Sequence, residues 1–274
     1  MRVLILGGTG LLGNALLRVL SKKFETIGTR RVSKIRNELN YIFVKNILDK
    51  DNLSNLIVDT KPDVVINCVS ITNVNSSSLK GLKLVYVLFP EMLTELSNKF
   101  DFKVIHISSD AVFSGKKGNY NENDSPDPVD DYGKSKLLGE PDQDNCVVIR
   151  TSMIGHSING ESGLLDWFIK QNNCTLYKNA IFSGLPVNEL SRIISEYFIT
   201  DINLKGIFHI SSKPISKYDL LSKVNNLYDL DVSITADEKY KIDRSLDSSK
   251  FQNITGYRIK SWNDMITKMR EESY

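Results

Sequence analysis

The sequence predicts an α/β protein built on a doubly wound, mostly parallel β-sheet. Three predominantly apolar runs, residues 3–6, 64–66 and 104–107, alternate along the chain with amphipathic segments. Such runs are typical of parallel strands, because helices cover both faces of a parallel sheet. Alternation of strand and helix is the pattern of a doubly wound fold. The first run also leads into a glycine-rich turn and then a helical pattern.

The first half of the chain supplies most of the predicted sheet. Leucines at positions 12, 16, 17 and 20 have helical spacing. Pro90 is expected to bend or divide the longest helical stretch, because proline lacks an amide donor. The predicted elements, in order, are a strand at 3–6, a helix at 11–20, strands at 25–29 and 41–44, a helix at 46–60, a strand at 64–66, a helical stretch at 79–100 and a strand at 104–107.

The second half of the chain alternates less regularly. Residues 115–128 are rich in Gly, Asn, Asp and Pro, which predicts a loop. We expect residues 1–150 to form the sheet domain, with residues 185–212 returning to it, and residues 151–274 to form mainly a smaller, partly interleaved C-terminal domain. The predicted elements are helices at 132–140, 190–199, 218–227 and 261–270, and strands at 147–149 and 207–210.

The composition is that of an ordinary globular protein. Of 274 residues, 41% are hydrophobic and 25% charged, which excludes disorder or a coiled coil for the whole chain. The net charge of +2 is too small for a dedicated nucleic-acid-binding protein. The three cysteines have no CxxC spacing, which argues against a disulfide framework or a zinc site. Since no apolar run approaches the roughly 20 residues of a membrane span, we expect a cytoplasmic protein without a metal, nucleic-acid or membrane partner.

The glycine-rich turn predicts a dinucleotide site. Gly7, Gly10 and Gly13 lie between the first strand and the first helix, and Gly8 with the last two also fits GxGxxG. In this motif one glycine makes a tight turn, one lets the backbone approach a pyrophosphate, and one packs helix on strand. The helix N-terminus then presents free amides to the phosphates. The predicted contacts in this Rossmann-type motif are Gly7, Thr9, Gly10, Leu11, Leu12 and Gly13.

The end of the second predicted strand indicates which dinucleotide binds. NAD sites place a carboxylate here, against the ribose 2′-hydroxyl, but this chain reads Gly-Thr-Arg30-Arg31. An arginine fork pairs bidentately with a phosphate. We therefore predict a preference for NADP(H), with NAD(H) possible. The alternative is that Arg30 and Arg31 are solvated surface charges.

Tyr132 and Lys136 are four residues apart and share one face of a predicted helix. A free tyrosine has a pKa near 10. A neighbouring ammonium stabilises its phenolate, so we expect Lys136 to lower the pKa of Tyr132 and make proton exchange feasible. Ser109 follows the strand predicted at 104–107, where ligands bind in such sheets. Its hydroxyl can polarise a substrate carbonyl, and the alternative is a serine that only ties down the strand end.

These motifs together resemble the extended short-chain dehydrogenase/reductase family. The stretches 106–118, 120–122, 132–140 and 244–251, with Trp262, are similar to dTDP-4-dehydrorhamnose reductases and related nucleotide-sugar 4-ketoreductases. The resemblance implies a Rossmann domain with a small C-terminal substrate domain. It also implies that Ser109 is the hydroxyl residue, Tyr132 the acid and Lys136 its partner.

The implied reaction is NADPH-dependent reduction of the C4 ketone of a nucleoside-diphosphate 4-keto-6-deoxy sugar, for surface polysaccharide biosynthesis. A nucleotide sugar is then the substrate partner, and a homodimer is possible. Asn46, Cys68 and Ser70 complete the predicted cofactor contacts, together with Tyr132 and Lys136. The predicted substrate contacts are Asp110, Ala111 and Met153.

The chain departs from the family pattern at three positions. Ala111 replaces a tyrosine, Met153 a tryptophan, and Tyr86 the asparagine four residues before a proline. Dehydratase chemistry is disfavoured because Ala111, not glutamate, follows Asp110. The alternatives are an NAD-dependent nucleotide-sugar 4-epimerase and a non-catalytic, NADP-binding regulatory subunit.

Overall fold

A computed structural model describes most of the chain and shows the predicted alternation of strands and helices. The described residues are 1–31, 39–71, 78–158, 160, 163–201 and 204–272. The strands found in them are β1 Arg2–Leu6, β2 Glu25–Arg30, β3 Tyr41–Phe43, β4 Val64–Asn67, β5 Lys103–Ile107, β6 Cys146–Arg150, β7 Met153–Ile154, β8 Asn173–Phe182, β9 Leu185–Pro186, β10 Gly206–His209, β11 Ile215–Ser216 and β12 Ser233–Asp243.

The helices of the described residues follow the same alternation. They are α1 Leu11–Leu20, α2 Lys50–Thr60, α3 Leu79–Lys83, α4 Phe89–Phe100, α5 Asp131–Leu138, α6 Leu164–Phe168, α7 Val187–Ile193, α8 Lys217–Leu227, α9 Ser249–Thr255 and α10 Trp262–Glu271. The described residues also contain two π turns, Leu84–Leu88 and Ile194–Phe198, and one 3₁₀ turn, Asp110–Val112. No helix in this described part is both long enough and apolar enough to cross a membrane.

The main sheet has the predicted doubly wound topology. Seven of the described strands form it in the order β10-β6-β5-β4-β1-β2-β3, and all neighbours run parallel. Its central strands are buried on both faces, which explains their continuously apolar sequences. The strand order reverses between β1 and β4, and ligands bind at the carboxyl ends of strands beside such a reversal. Two apolar clusters, one on each face, hold the helices against the sheet.

The helical stretch around Pro90 is continuous, whereas the sequence predicted a bend or a division there. The structure instead changes from α to π helix before Pro90. The π turn Leu84–Leu88 lies directly before α4, and the Phe89 amide donates to the Leu84 carbonyl across this wider turn. Pro90 then stands in the first turn of α4, directly after the wider turn. The wider turn directs Tyr86 inward.

The sequence missed a second sheet. β11, β8 and β12 form it, with β8 and β12 parallel along most of their length. Most residues of β12 are exposed and five of its eleven residues are charged, so it lacks the apolar run or regular alternation that indicates a strand. β10 lies beside β6 in the main sheet, inside the range 185–212. The domain boundaries at 150 and 151 remain a prediction.

We predict that Gly139→Ala destabilises the protein by about 3 kcal/mol through overpacking. Gly139 ends α5, and a Cβ there would lie 1.6 Å from the Tyr86 carbonyl oxygen. Chemical denaturation measures the change in the free energy of unfolding. The control is Gly81→Ala in α3, where a Cβ meets only the Ser78 hydroxyl at 3.5 Å. Equal stabilities of the two variants would contradict the close packing of α5 on the π turn.

Candidate active site

The glycine turn between β1 and α1 requires glycine at two of the predicted positions. Gly7 has φ of 83°, and a Cβ there would lie 2.8 Å from the Cys68 carbonyl oxygen. A Cβ on Gly13 would lie 2.2 Å from the Gly7 carbonyl oxygen. The Gly7 amide also donates to Thr29 Oγ1 at 2.9 Å, which ties the turn to β2. The backbone of β1, β4 and α1 therefore meets closely around this turn.

The N-terminus of α1 fits a dinucleotide pyrophosphate. Gly10 is its N-cap residue, and no side chain of the described residues caps it. A Cβ on Gly10 would meet only the Gly7 carbonyl oxygen, at 3.3 Å, so the space outside the turn is open. Thr9 and Leu11 are partly exposed at this opening, while Leu12 is buried beneath it. Free amides and a positive helix end are what a phosphate requires.

The other predicted cofactor residues surround the same edge of the sheet. Cys68 directly follows β4, and its amide donates to the Leu6 carbonyl at 3.0 Å. Its thiol is partly buried, and burial raises its pKa to about 12, so it is neutral. Ser70 is exposed two residues further on. Arg30 ends β2, with Arg31 and Asn46 exposed in the loops after β2 and β3.

Ser109, Tyr132 and Lys136 converge at the carboxyl end of β5. The Ser109 hydroxyl lies near Tyr132 and acts to lower its pKa, and it donates to Asp110 Oδ1 at 3.2 Å. Lys136 Nζ donates to the Ile107 carbonyl oxygen at 2.7 Å. The adjacent Ser108 hydroxyl points elsewhere, to the Glu140 carboxylate at 2.6 Å.

Local packing explains this convergence. The Asp130 carboxylate caps α5 by accepting the Gly133 amide at 2.7 Å. A Cβ on Gly133 would lie 2.1 Å from the Ala111 carbonyl oxygen. Glycine therefore lets α5 approach the 3₁₀ turn Asp110–Val112, and that approach brings Tyr132 beside Ser109.

Burial dominates the titration of Lys136. It lowers the lysine pKa to about 8, against the opposing influence of Glu140 and Cys68. Glu140 is itself held by Arg150, whose two nitrogens approach its oxygens at 2.9 and 2.7 Å. The sequence analysis did not assign Glu140 a role. Glu140 is four residues from Lys136, and this spacing could have indicated that the two side chains interact.

The expected depression of the Tyr132 pKa is wrong for this structure. Burial raises its pKa, the neighbouring Tyr86 raises it further, and the Ser109 hydrogen bond opposes both. Tyr132 is therefore a neutral phenol at physiological pH. The Lys136 ammonium donates to Ile107 rather than to Tyr132.

The predicted substrate residues Asp110 and Ala111 directly follow Ser109 in the 3₁₀ turn Asp110–Val112. Burial raises the pKa of Asp110 to about 6, opposed by Arg244, Ser109 and Lys217. Ala111 is buried, and Met153 is partly exposed in β7.

Two cations near Asp110 were not assigned by the sequence analysis. Arg244 follows β12 and donates to Asp130 Oδ2 at 3.2 Å, and Lys217 begins α8. Arg244 is the first residue of the motif at 244–251, so the sequence offered a reason to consider it. Lys217 belongs to no motif.

We predict that Lys136→Met stabilises the protein at pH 7 by about 2 kcal/mol. The pKa of Lys136 is lowered from 10.5 to about 8 on folding, so the charged lysine opposes folding below pH 8. This penalty falls as pH rises from about 8 to 10.5, and the stability advantage of Lys136→Met should fall with it. Urea denaturation across this pH range measures the difference in the free energy of unfolding.

The matched control is Lys134→Met, on the exposed side of the same helix. The change in the Lys136→Met difference across this pH range is compared with that of the control. A pH-independent difference for Lys136→Met would contradict the burial of its ammonium.

Curated relatives match nearly the whole chain. Methionine adenosyltransferase 2 subunit beta of Danio rerio is 28% identical, over 84% of this chain and 74% of that protein. The dTDP-4-dehydrorhamnose reductase of Aggregatibacter actinomycetemcomitans is 26% identical, over 98% of each chain.

Solved structures share the fold. A hypothetical dTDP-4-dehydrorhamnose reductase from Sulfolobus tokodaii has a TM-score of 0.82 and 28% identity, covering 95% of this chain and 97% of its own. The dTDP-4-dehydrorhamnose reductase of Bacillus anthracis, solved in complex with NADP, has a TM-score of 0.81 and 20% identity, covering 100% and 99%. The model of the RmlD substrate binding domain matches residues 1–274. The chain therefore belongs to the RmlD substrate binding domain family, within the extended short-chain dehydrogenases/reductases.

Proposed function

We propose that this protein is an NADPH-dependent reductase of the C4 ketone of a nucleoside-diphosphate 4-keto-6-deoxy sugar. One observation carries the proposal: Ser109, Tyr132 and Lys136 meet at the carboxyl end of β5, beside an open glycine turn. The reductases named among its relatives and structural neighbours support the substrate class. Surface polysaccharide biosynthesis is the corresponding role.

Each member of the centre has a distinct part in the proposed reaction. The glycine turn and the N-terminus of α1 would hold NADPH, which would supply hydride to the ketone carbon. Ser109 donates a hydrogen bond to the ketone oxygen and so favours the developing negative charge. Tyr132, a protonated phenol at pH 7, gives that oxygen its proton. Lys136, mostly charged at pH 7, would stabilise the resulting phenolate and donate to the nicotinamide ribose.

The proposed cofactor is NADP(H), with NAD(H) as a weaker ligand. Arg30 and Arg31 stand at the end of β2, and no carboxylate is present at positions 28–31. The Bacillus anthracis neighbour was solved with NADP. Asp110, Ala111 and Met153 are the proposed substrate contacts, and residues 151–274 the main substrate domain.

A regulatory subunit is the second candidate function. Relatives named methionine adenosyltransferase 2 subunit beta align over 84% of this chain. A protein of this kind would bind NADP and a partner enzyme without reducing a ketosugar. A 4-epimerase is the third candidate, and purified protein carrying stoichiometric NAD would support it.

We predict that the protein oxidises NADPH with at least one 4-keto-6-deoxy dTDP-, UDP- or GDP-sugar, and that Tyr132→Phe lowers kcat by about 10²–10⁴-fold. Loss of the proton donor should leave the Kd for NADPH nearly unchanged. Absorbance at the NADPH band measures turnover, and cofactor fluorescence measures binding.

The control variant is Tyr120→Phe, a buried tyrosine stacked on Phe113 away from this centre. It should retain turnover. Unchanged turnover in Tyr132→Phe would remove Tyr132 from the mechanism. No turnover with any substrate, together with a copurifying partner enzyme, would favour the regulatory subunit.

We predict that replacing both Arg30 and Arg31 by Ala raises the Kd for NADPH about 10–100-fold, because a charged hydrogen bond contributes about 1.5–3 kcal/mol. The Kd for NADH should change little, since it lacks the 2′-phosphate. Lys22→Ala, an exposed charge at the end of α1, is the control. Equal Kd values of the wild type for NADPH and NADH would refute the preference.

A further inference from the structure

Tyr86 is a second buried tyrosine in the candidate centre. It is 1% exposed and lies in the π turn before α4. Its ring centroid is 5.3 Å from that of Tyr132, with the planes at 82°. Such edge-to-face pairs are favourable because the positive ring edge meets the negative ring face.

The face of the Tyr86 ring also contacts the Lys136 ammonium. Lys136 Nζ lies 4.9 Å from the ring centroid, within the range of a cation–π interaction. The same nitrogen donates to the Ile107 carbonyl oxygen at 2.7 Å. An ammonium has three donors, so the carbonyl and the ring face restrict its direction from two sides.

The orientation of the Tyr86 ring is fixed from its other end. The Ile71 amide donates to the Tyr86 hydroxyl oxygen at 3.0 Å. The hydroxyl and Ser70 Oγ are hydrogen-bonded at 2.8 Å. Ser70 and Ile71 belong to the segment after β4, which flanks the glycine turn. Tyr86 therefore connects the cofactor side of the cleft with the lysine of α5.

We propose that Tyr86 is a positioning residue whose ring holds the Lys136 ammonium towards the cofactor ribose and Tyr132, while its hydroxyl anchors the segment at residues 70 and 71. The identity of the group that Lys136 binds rests on the proposed function. The contact between ring and ammonium does not.

The ring matters because the Ile107 carbonyl and the Glu140 charge offset the burial of the Lys136 ammonium only in part. Only 6% of Lys136 is exposed. Cys68 is neutral, and the Glu140 carboxylate is already engaged by Arg150 and Ser108. The titratable or charged groups that face Lys136 are Cys68 after β4, Tyr86 in the π turn, His106 on β5, and Tyr132 and Glu140 on and after α5.

The test compares Tyr86→Leu with Tyr86→Phe. Both variants lose the hydroxyl and both are apolar, but only Phe keeps the ring face. The pKa of Lys136 is measured on the full chain by NMR titration of ¹³C-labelled lysine, with the signal assigned through Lys136→Arg. We expect Tyr86→Leu to lower it by about one pH unit relative to Tyr86→Phe, from a cation–π interaction of this strength.

Both variants should bind NADPH more weakly than the wild type, because both lose the hydroxyl that is hydrogen-bonded to Ser70 and Ile71. The loss of kcat/KM at alkaline pH should begin at lower pH in Tyr86→Leu than in Tyr86→Phe, because Lys136 loses its proton at lower pH in the leucine variant. The titration needs no substrate, so it decides the proposal even if no ketosugar is reduced.

Tyr120→Leu is the matched control, since Tyr120 is equally buried and its ring contacts Lys117 instead. It should leave the Lys136 titration unchanged. Tyr86→Met replaces Tyr86→Leu if the leucine variant does not fold. Equal Lys136 pKa values in the ring-less variant and in Tyr86→Phe would overturn the proposal.

Discussion

The buried ammonium of Lys136 is the constraint on which the candidate centre depends. A buried charge is tolerated only when nearby groups compensate for lost water. Here the Ile107 carbonyl, the Tyr86 ring and the Glu140 carboxylate provide that compensation. Each comes from a different element, so the requirements of one ammonium fix β5, the π turn and the end of α5 relative to one another.

At the glycine turn, where the cofactor is proposed to bind, the geometry depends on backbone packing rather than on side chains. Gly7 and Gly13 stand where a Cβ would collide with a carbonyl oxygen, so β1, β4 and α1 can meet closely. The same meeting leaves the α1 amides pointing to open space. A phosphate would therefore bind close to the Lys136 centre, because Cys68 lies between the turn and the lysine.

The features that were predicted correctly are those that depend on residues close together in the sequence. The parallel strands, α1 and the Tyr132–Lys136 spacing follow from periodicity and short motifs, and all appear in the structure. β12 was missed because its charged, exposed residues carry no strand period. The roles of Arg244 and Lys217 depend on distant segments meeting Asp110, which no spacing encodes. The Tyr132 pKa was predicted with the wrong sign because burial, not the nearest charge, dominates it.

The raised pKa of Tyr132 bears on the protonation state in which the proposed reaction starts. A phenol whose pKa is raised and an ammonium whose pKa is about 8 both hold their protons at pH 7. The centre therefore holds its protons before the substrate arrives, as delivery of a proton to a reduced carbonyl requires. Oxidation of an alcohol would need a phenolate at the start, and burial opposes it. The same desolvation that makes the lysine costly to fold thus keeps Tyr132 a neutral phenol, the form from which the proposed reduction starts.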